Sequence, residues 1–442
     1  MKRVVSLIAT VLGLSLVMLT FGAISGGARR TEPATGAVGS LAAQPATVMR
    51  GADVAASIGA LQSRLKTLPD DWPAWASLGA LYTTQARLTA DPSYFGKADG
   101  AFATSLRIRP QDNAAALTGK ATLAASRHDF AGALALTQQA ERLDPYASTN
   151  LGVMVDALVE LGRYPQAFRT LQRMVDLKPG VASFTRVSYS YELRGDTTGA
   201  RVALERALDV AQSPADKAFA LQYLGELAFN AGNLATAARQ FALGLREDPA
   251  NVQLLAGQAR VAAAHGRTAE ALHDWREVTT RLPAPTYLIE YADLLASLGH
   301  TAAATRQYAV VDATARLYRA QGANVDVELS LFDADHGRAE AALAAAKAQI
   351  NLRHSSAVED AYAWALHVSG RDREALTHAK AAGALGMRSA LFAYHRGMIE
   401  RALKHAAEAK VWLGRSVAIN PYFSPLLAPK AKAALAQLRS GH

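Results

Sequence analysis

The chain has 442 residues, 50% apolar and only 7% aromatic, with no cysteine and a formal charge of +9. The missing cysteine excludes disulfides, thiolate metal sites, cysteine nucleophiles and a lipid-bearing cysteine anchor. Of the 47 basic residues, Lys2, Arg3, Arg29 and Arg30 flank the first apolar run, leaving 43 against 38 acidic residues. No Lys/Arg block of the kind that tracks phosphates is present, so nucleic acid is not an expected partner.

Lys2-Arg3 precede an uncharged apolar run from Val4 to about Ile24. A helix of ~20 apolar residues is long enough to span a hydrocarbon core. A basic start, an apolar middle and small residues after it also describe a signal peptide, with Ala23-Ile24-Ser25 as the cleavage pattern. Residues 1–27 are therefore expected to be a signal peptide or an N-terminal transmembrane anchor. Membrane contact is expected through this segment only, with the bulk of the chain extracytoplasmic, either anchored to the cytoplasmic membrane or secreted. Residues 28–50 scatter Pro33, Gly36, Gly39 and Pro45 among Ala, Thr and Ser, the composition of a flexible linker. Val54, Ile58, Leu61 and Leu65 then share one face of a capping helix over 51–68.

From Trp75 a repeat begins. Trp75, Leu78, Gly79 and Tyr82 read W-x2-L-G-x2-Y; after an insertion around Asp91-Pro92, in the turn between two helices, Ala98, Phe102 and Pro110 read A-x3-F…P. Prolines recur at Pro110, Pro145 and Pro179 and again at Pro249 and Pro283, at spacings of 35, 34 and 34 residues. Turn glycines keep the same clock (Gly162 to Gly195, Gly232 to Gly266 to Gly299, Gly337 to Gly370), and an alanine opens each second helix, Ala133, Ala167, Ala200, Ala237, Ala271, Ala304, Ala375 and Ala409 among them. Each residue type has a physical task. Glycine ends the first helix in a left-handed conformation, alanine lets two helices approach, and proline fixes where the hairpin stops.

The seven signature positions resemble the tetratricopeptide repeat family, over about 70–428. The segments LFDADHG, AWALHVSGRDREAL, LFAYHRGMIERAL and INPYFSP resemble such proteins from actinobacteria and other GC-rich bacteria. The resemblance implies an all-α fold, a right-handed superhelical solenoid of stacked antiparallel hairpins, roughly ten of them. The slip in regularity at 312–328 divides it into an N-terminal array with its capping helix over 51–311 and a C-terminal array over 312–428. Residues 429–442 form a terminal cap.

The resemblance further implies that the concave face, lined by the first helix of each hairpin, grips a protein or peptide partner. By spacing from the signature, the inward-facing candidates are Asp156, Glu160, Tyr189, Glu192, Gln222 and Glu226, followed by Asn230, Arg260, Asp293, Trp364 and His367. The acidic middle of this series points to a basic or amide-rich partner. The positions of the carboxylate-gripping subclass carry Thr118, Gly152, Asp156 and Gln222 instead of Lys and Asn, which disfavours that subclass.

No phosphate-binding loop, H-E-x-x-H helix or G-x-S-x-G elbow occurs, so no catalytic residue, metal or cofactor is expected. His128, His265, His300 and His336 fall at hairpin turns, where a structural role is expected. Asp333, Asp335 and His336 are the one local cluster with metal-ligand chemistry, but the two carboxylates point about 200° apart on a helix of 3.6 residues per turn. The reading is a non-catalytic protein-binding scaffold of the cell envelope. The alternatives are an envelope metal-handling or sensor protein, or an accessory subunit of an enzyme complex.

Overall fold

The structure, a computed structural model, describes residues 51–324 and 326–440; the expected signal or anchor and the linker lie outside the described residues. Among the described residues there are 22 helices and no strand, and no helix is long and apolar enough to cross a membrane. A first helix, α1 (Gly51–Thr67), precedes ten hairpins. They pair α2 (Trp72–Thr89) with α3 (Ser93–Ile108), α4 (Ala114–Ser126) with α5 (Phe130–Leu143), and α6 (Ser148–Glu160) with α7 (Tyr164–Leu177). Next come α8 (Val181–Leu193) with α9 (Thr197–Asp209), α10 (Pro214–Asn230) with α11 (Leu234–Glu247), and α12 (Val252–Ala264) with α13 (Thr268–Arg281). The last four are α14 (Pro285–Ser297) with α15 (Thr301–Ala320), α16 (Asp326–Asp335) with α17 (Ala339–Ile350), α18 (Ser356–Val368) with α19 (Asp372–Ala382), and α20 (Ala390–Ala402) with α21 (Ala406–Ile419). A final helix, α22 (Leu427–Ser440), buries Ala431, Ala434 and Leu435 against the stack.

The local rules of the sequence are visible in these elements. Each clock proline sits two residues beyond the end of a second helix. The seven clock glycines, Gly162, Gly195, Gly232, Gly266, Gly299, Gly337 and Gly370, have φ between 73° and 79°, the left-handed region that ends a helix without penalty only at glycine. Three turns do the same with a side chain in place: Ala90, His128 and Lys404, at φ 53°, 61° and 63°. The opening alanines are buried, and the close approach they permit is sharpest around the aromatic rings of the second helices. Phe102 lies between Gly79 and Gly119, and Phe241 between Gly225 and Gly257; a Cβ on Gly79 would stand 2.7 Å from the Phe102 ring.

Two details are finer than the spacing alone gives. The turn histidines do not share one position: His128 takes the left-handed place itself, His265 and His336 precede the turn glycine, and His300 follows it. The division expected at 311/312 falls inside α15, a 20-residue helix that runs on to Ala320 before the chain turns at Gly322 (φ 72°).

The stack returns on itself. Arg353 pairs with Glu160 across 193 residues, the backbone N–H of Ser356 donates to the Tyr164 hydroxyl across 192, and Asn420 Nδ2 donates to the Phe229 carbonyl across 191. The backbone N–H of Asn324 likewise donates to the Arg127 carbonyl at 2.9 Å. At ~34 residues per hairpin, the winding closes every five to six hairpins. A continuous seam results, in which the within-hairpin turns of the first winding meet the between-hairpin loops of the second. The first helices form the inside of this winding and are buried nearly all round, from Asn150 to Glu160 in α6 and from Leu288 to Leu295 in α14.

Candidate functional site

The polar residues of the inner face form a ladder. Neighbouring first helices are one repeat apart, so a side chain on one meets a side chain about 30 or 34 residues later on the next. Arg186 on α8 clasps Asp156 on α6 with both sides of its fork, Nε to Oδ1 at 2.9 Å and Nη2 to Oδ2 at 2.6 Å. Arg260 on α12 holds Glu290 on α14 bidentately (2.7 and 2.8 Å) and Glu226 on α10 through Nη1 at 2.7 Å. All five side chains are buried, so the planar fork of arginine supplies the geometry that a buried carboxylate requires. Arg353, from the second winding, reaches Glu160 at 2.5 Å and lies over the Phe130 ring.

Higher in the stack the rungs become aromatic. The Tyr308 hydroxyl donates to Asp293 Oδ1 at 2.7 Å, and His336 Nε2 lies 3.4 Å from the same oxygen. Trp364 Nε1 donates to Asp335 Oδ1 at 2.5 Å, and its ring stacks on His395 at 4.2 Å, whose Nδ1 bonds Asp360 Oδ2 at 2.8 Å. His367 stacks on Trp364 at 4.8 Å and bonds Asp372 through Nδ1.

The eleven positions read from the sequence thus lie along the inner helices, but not as a free polar strip. Asp156, Glu160, Glu226, Arg260 and Asp293 are buried and hold partners from this chain. Trp364 is buried against Asp335 and His395, an internal contact rather than an open aromatic anchor. Tyr189 is buried, and burial together with the nearby Glu160 pushes its phenol well above the ordinary value. Gln222 is buried one turn before Glu226 on α10, and Asn230 is half-buried one turn after it.

Glu192 differs. It is half-buried on α8, about one and a half turns beyond Arg186, and its carboxylate accepts a long hydrogen bond from the Ser188 hydroxyl at 3.4 Å; among the described residues it forms no salt bridge. Burial, reinforced by the Glu226 charge, pushes its carboxyl up to about 7.

Sequence reasoning missed Arg186, Glu290, Arg353, Asp360 and His395. A signal for four of them exists, because 156 to 186, 260 to 290 and 360 to 395 are each about one repeat apart; Arg353 has none, because its partner lies a whole winding away. Asp333 and Asp335 face different partners, Arg338 at 2.7 Å and Trp364. Among the described residues no three His, Asp or Glu side chains are gathered as a metal site.

No family model and no curated protein matches this chain. Solved structures do. A tetratricopeptide repeat protein from Parabacteroides merdae is 15% identical, with 59% of this chain and 98% of that one covered, at a TM-score of 0.34. The Cut9-Hcn1 hetero-tetramer of the APC/C gives 12% identity, 88% and 90% coverage and a TM-score of 0.38. Yeast Tom70 gives 13%, 87% and 96%, and 0.34. These are likenesses of a hairpin stack at low superposition. The assignment of the fold rests on this chain's own helices: ten consecutive pairs, a 34-residue clock and left-handed turns at the signature's spacing.

Proposed function

We propose that this chain is a non-catalytic scaffold of the cell envelope, exported or anchored through residues 1–27, that binds a basic or amide-rich protein segment at its inner face around Glu192. The observation that supports this reading is the incomplete rung. Asp156, Glu160, Glu226 and Glu290 each hold an arginine of this chain, and Glu192, among them, does not. A cationic or amide side chain from a partner would complete that position as Arg186 completes Asp156. Glu226 is unsuited to the same test, because removing its charge disturbs the buried Arg260 pairing.

The decisive comparison is a crosslinked pull-down from intact membranes, using the chain with its native N-terminus against Glu192→Gln. Reproducible partners lost in the variant, with unchanged melting at neutral pH or a slightly higher Tm, support the reading; partners indifferent to Glu192 refute it. The pH sense is fixed by linkage. The folded chain keeps a proton on Glu192 up to about 7, whereas the unfolded chain releases it near the ordinary 4.5. Stability contributed here falls as pH rises across that window, and Glu192→Gln flattens the slope. Binding of a cationic segment strengthens over the same window, because it favours the ionised carboxylate.

A further inference from the structure

On the outside of the stack, α13 and α15 part over α14 to leave a cleft of about 390 Å³. Its floor is apolar: Tyr291 and Leu295 of α14, both deeply buried, with Leu272 of α13 beside them. Its rim carries two cations, Arg276 of α13 and Arg306 of α15, with the His300 imidazole beside them at the N-terminus of that 20-residue helix. Neither arginine has an acidic partner among the described residues. The nearby acids are already used: Glu270 pairs with Arg267 at 2.7 Å, Glu277 with Arg281 at 2.9 Å, and Asp274 bonds His273 at 3.2 Å. No acid occupies the first turn of α15 and no side chain caps it, so the positive end of a long helix opens beside the same rim. Between the outer helices α5 and α7, by contrast, opposite charges meet: Arg173 reaches Glu141 at 2.7 Å. Here like charges face each other across an apolar floor.

We propose that this cleft is a second docking site, taking an acidic segment of a partner protein that seats one large apolar side chain on Tyr291 and Leu295 and sets carboxylates over Arg276 and Arg306. The volume falls in the range of binding pockets and exceeds what a lone inorganic anion fills. An apolar floor contributes nothing to such an anion. More than one cation on the rim exceeds what the single carboxylate of a fatty acid satisfies. The charge preference is opposite to that of the inner face, so the two sites would take different segments.

The test uses the full chain and three end-blocked fluorescein peptides, read by anisotropy at low salt: one leucine flanked by two glutamates on each side, the same with glutamines, and the glutamate peptide with alanine for leucine. The acidic leucine peptide is expected to bind saturably. It should weaken roughly tenfold in Arg276→Glu/Arg306→Glu, and weaken measurably with alanine at the anchor. Arg276→Gln and Arg306→Gln, both at exposed positions, keep the test valid if the double reversal fails to fold. Equal binding of all three peptides, no binding, or indifference to both arginines would overturn the proposal. Saturable binding of a fluorescent fatty acid to the same chain, with no binding of the peptides, would also overturn it and assign a lipid carboxylate. Glu192→Gln leaves this binding unchanged, which separates it from the inner-face reading.

Discussion

Seven turn glycines share one backbone conformation and two different surroundings. At Gly162 a Cβ would stand 2.5 Å from the carbonyl oxygen of His354, at Gly195 it would strike the carbonyl oxygen of Gly386, and at Gly232 it would lie 3.0 Å from that of Ile419. At Gly266, Gly299, Gly337 and Gly370 nothing lies within 4 Å. The first three face the next winding and the other four face open space. One residue type at one spacing therefore does two jobs. The sequence advertises the left-handed turn at all seven positions, and only the winding of the whole stack decides which of them also form the seam.

The sharpest way to break this distinction is to remove the buried charge that crosses the seam. Arg353→Met removes the arginine that holds the buried Glu160 and should cost about 3–5 kcal/mol in urea or thermal unfolding. Arg173→Met, which breaks the half-exposed Glu141 pair within one winding, should cost under ~1 kcal/mol. Comparable losses would mean that the seam adds nothing.

A finer cut is Gly195→Ala against Gly266→Ala. Both pay the left-handed strain of about 1 kcal/mol. Only the first also drives a methyl into backbone, for a total of roughly 2–4 kcal/mol. Equal melting shifts would refute the two-environment reading. Among the seam contacts the smallest effect expected is that of Tyr164→Phe, which removes the hydroxyl contacting Ser356 and should cost ~1 kcal/mol. A shift there, with none from Tyr146→Phe on the exposed surface, would place the loss at the seam.

Hairpins were legible because their determinants are local. Pro110, Gly162 and Ala167 act within a few residues of themselves, so spacing alone locates helix ends and closest approaches. The inner ladder was half legible. Repeat phase puts Asp156 and Glu226 on the inner face, but which arginine meets which carboxylate depends on side-chain reach between adjacent first helices. The seam was not legible at all. Its 191–193-residue offset is the sum of small rotations between successive hairpins, each set by packing of rings such as Phe102, Phe241 and Trp275, and no single spacing encodes that sum. The same limit explains why an open polar groove was expected where the inner charges are mostly occupied by Arg186, Arg260 and Arg353.

The seam also changes what kind of polymer this chain is. An open array of repeats is quasi-one-dimensional: each unit answers only to its neighbours, ends fray, and pieces can fold by themselves. Contacts that skip nearly two hundred residues tie hairpin three to hairpin nine and hairpin five to the last. Contact order rises and folding slows accordingly. Truncating after α15 would strip the partners from three glycine turns and leave Glu160 without its arginine. A sequence built from interchangeable short units thus folds into an object whose early units depend on late ones, and it should unfold with a cooperativity closer to that of a globular domain than to that of a chain of repeats.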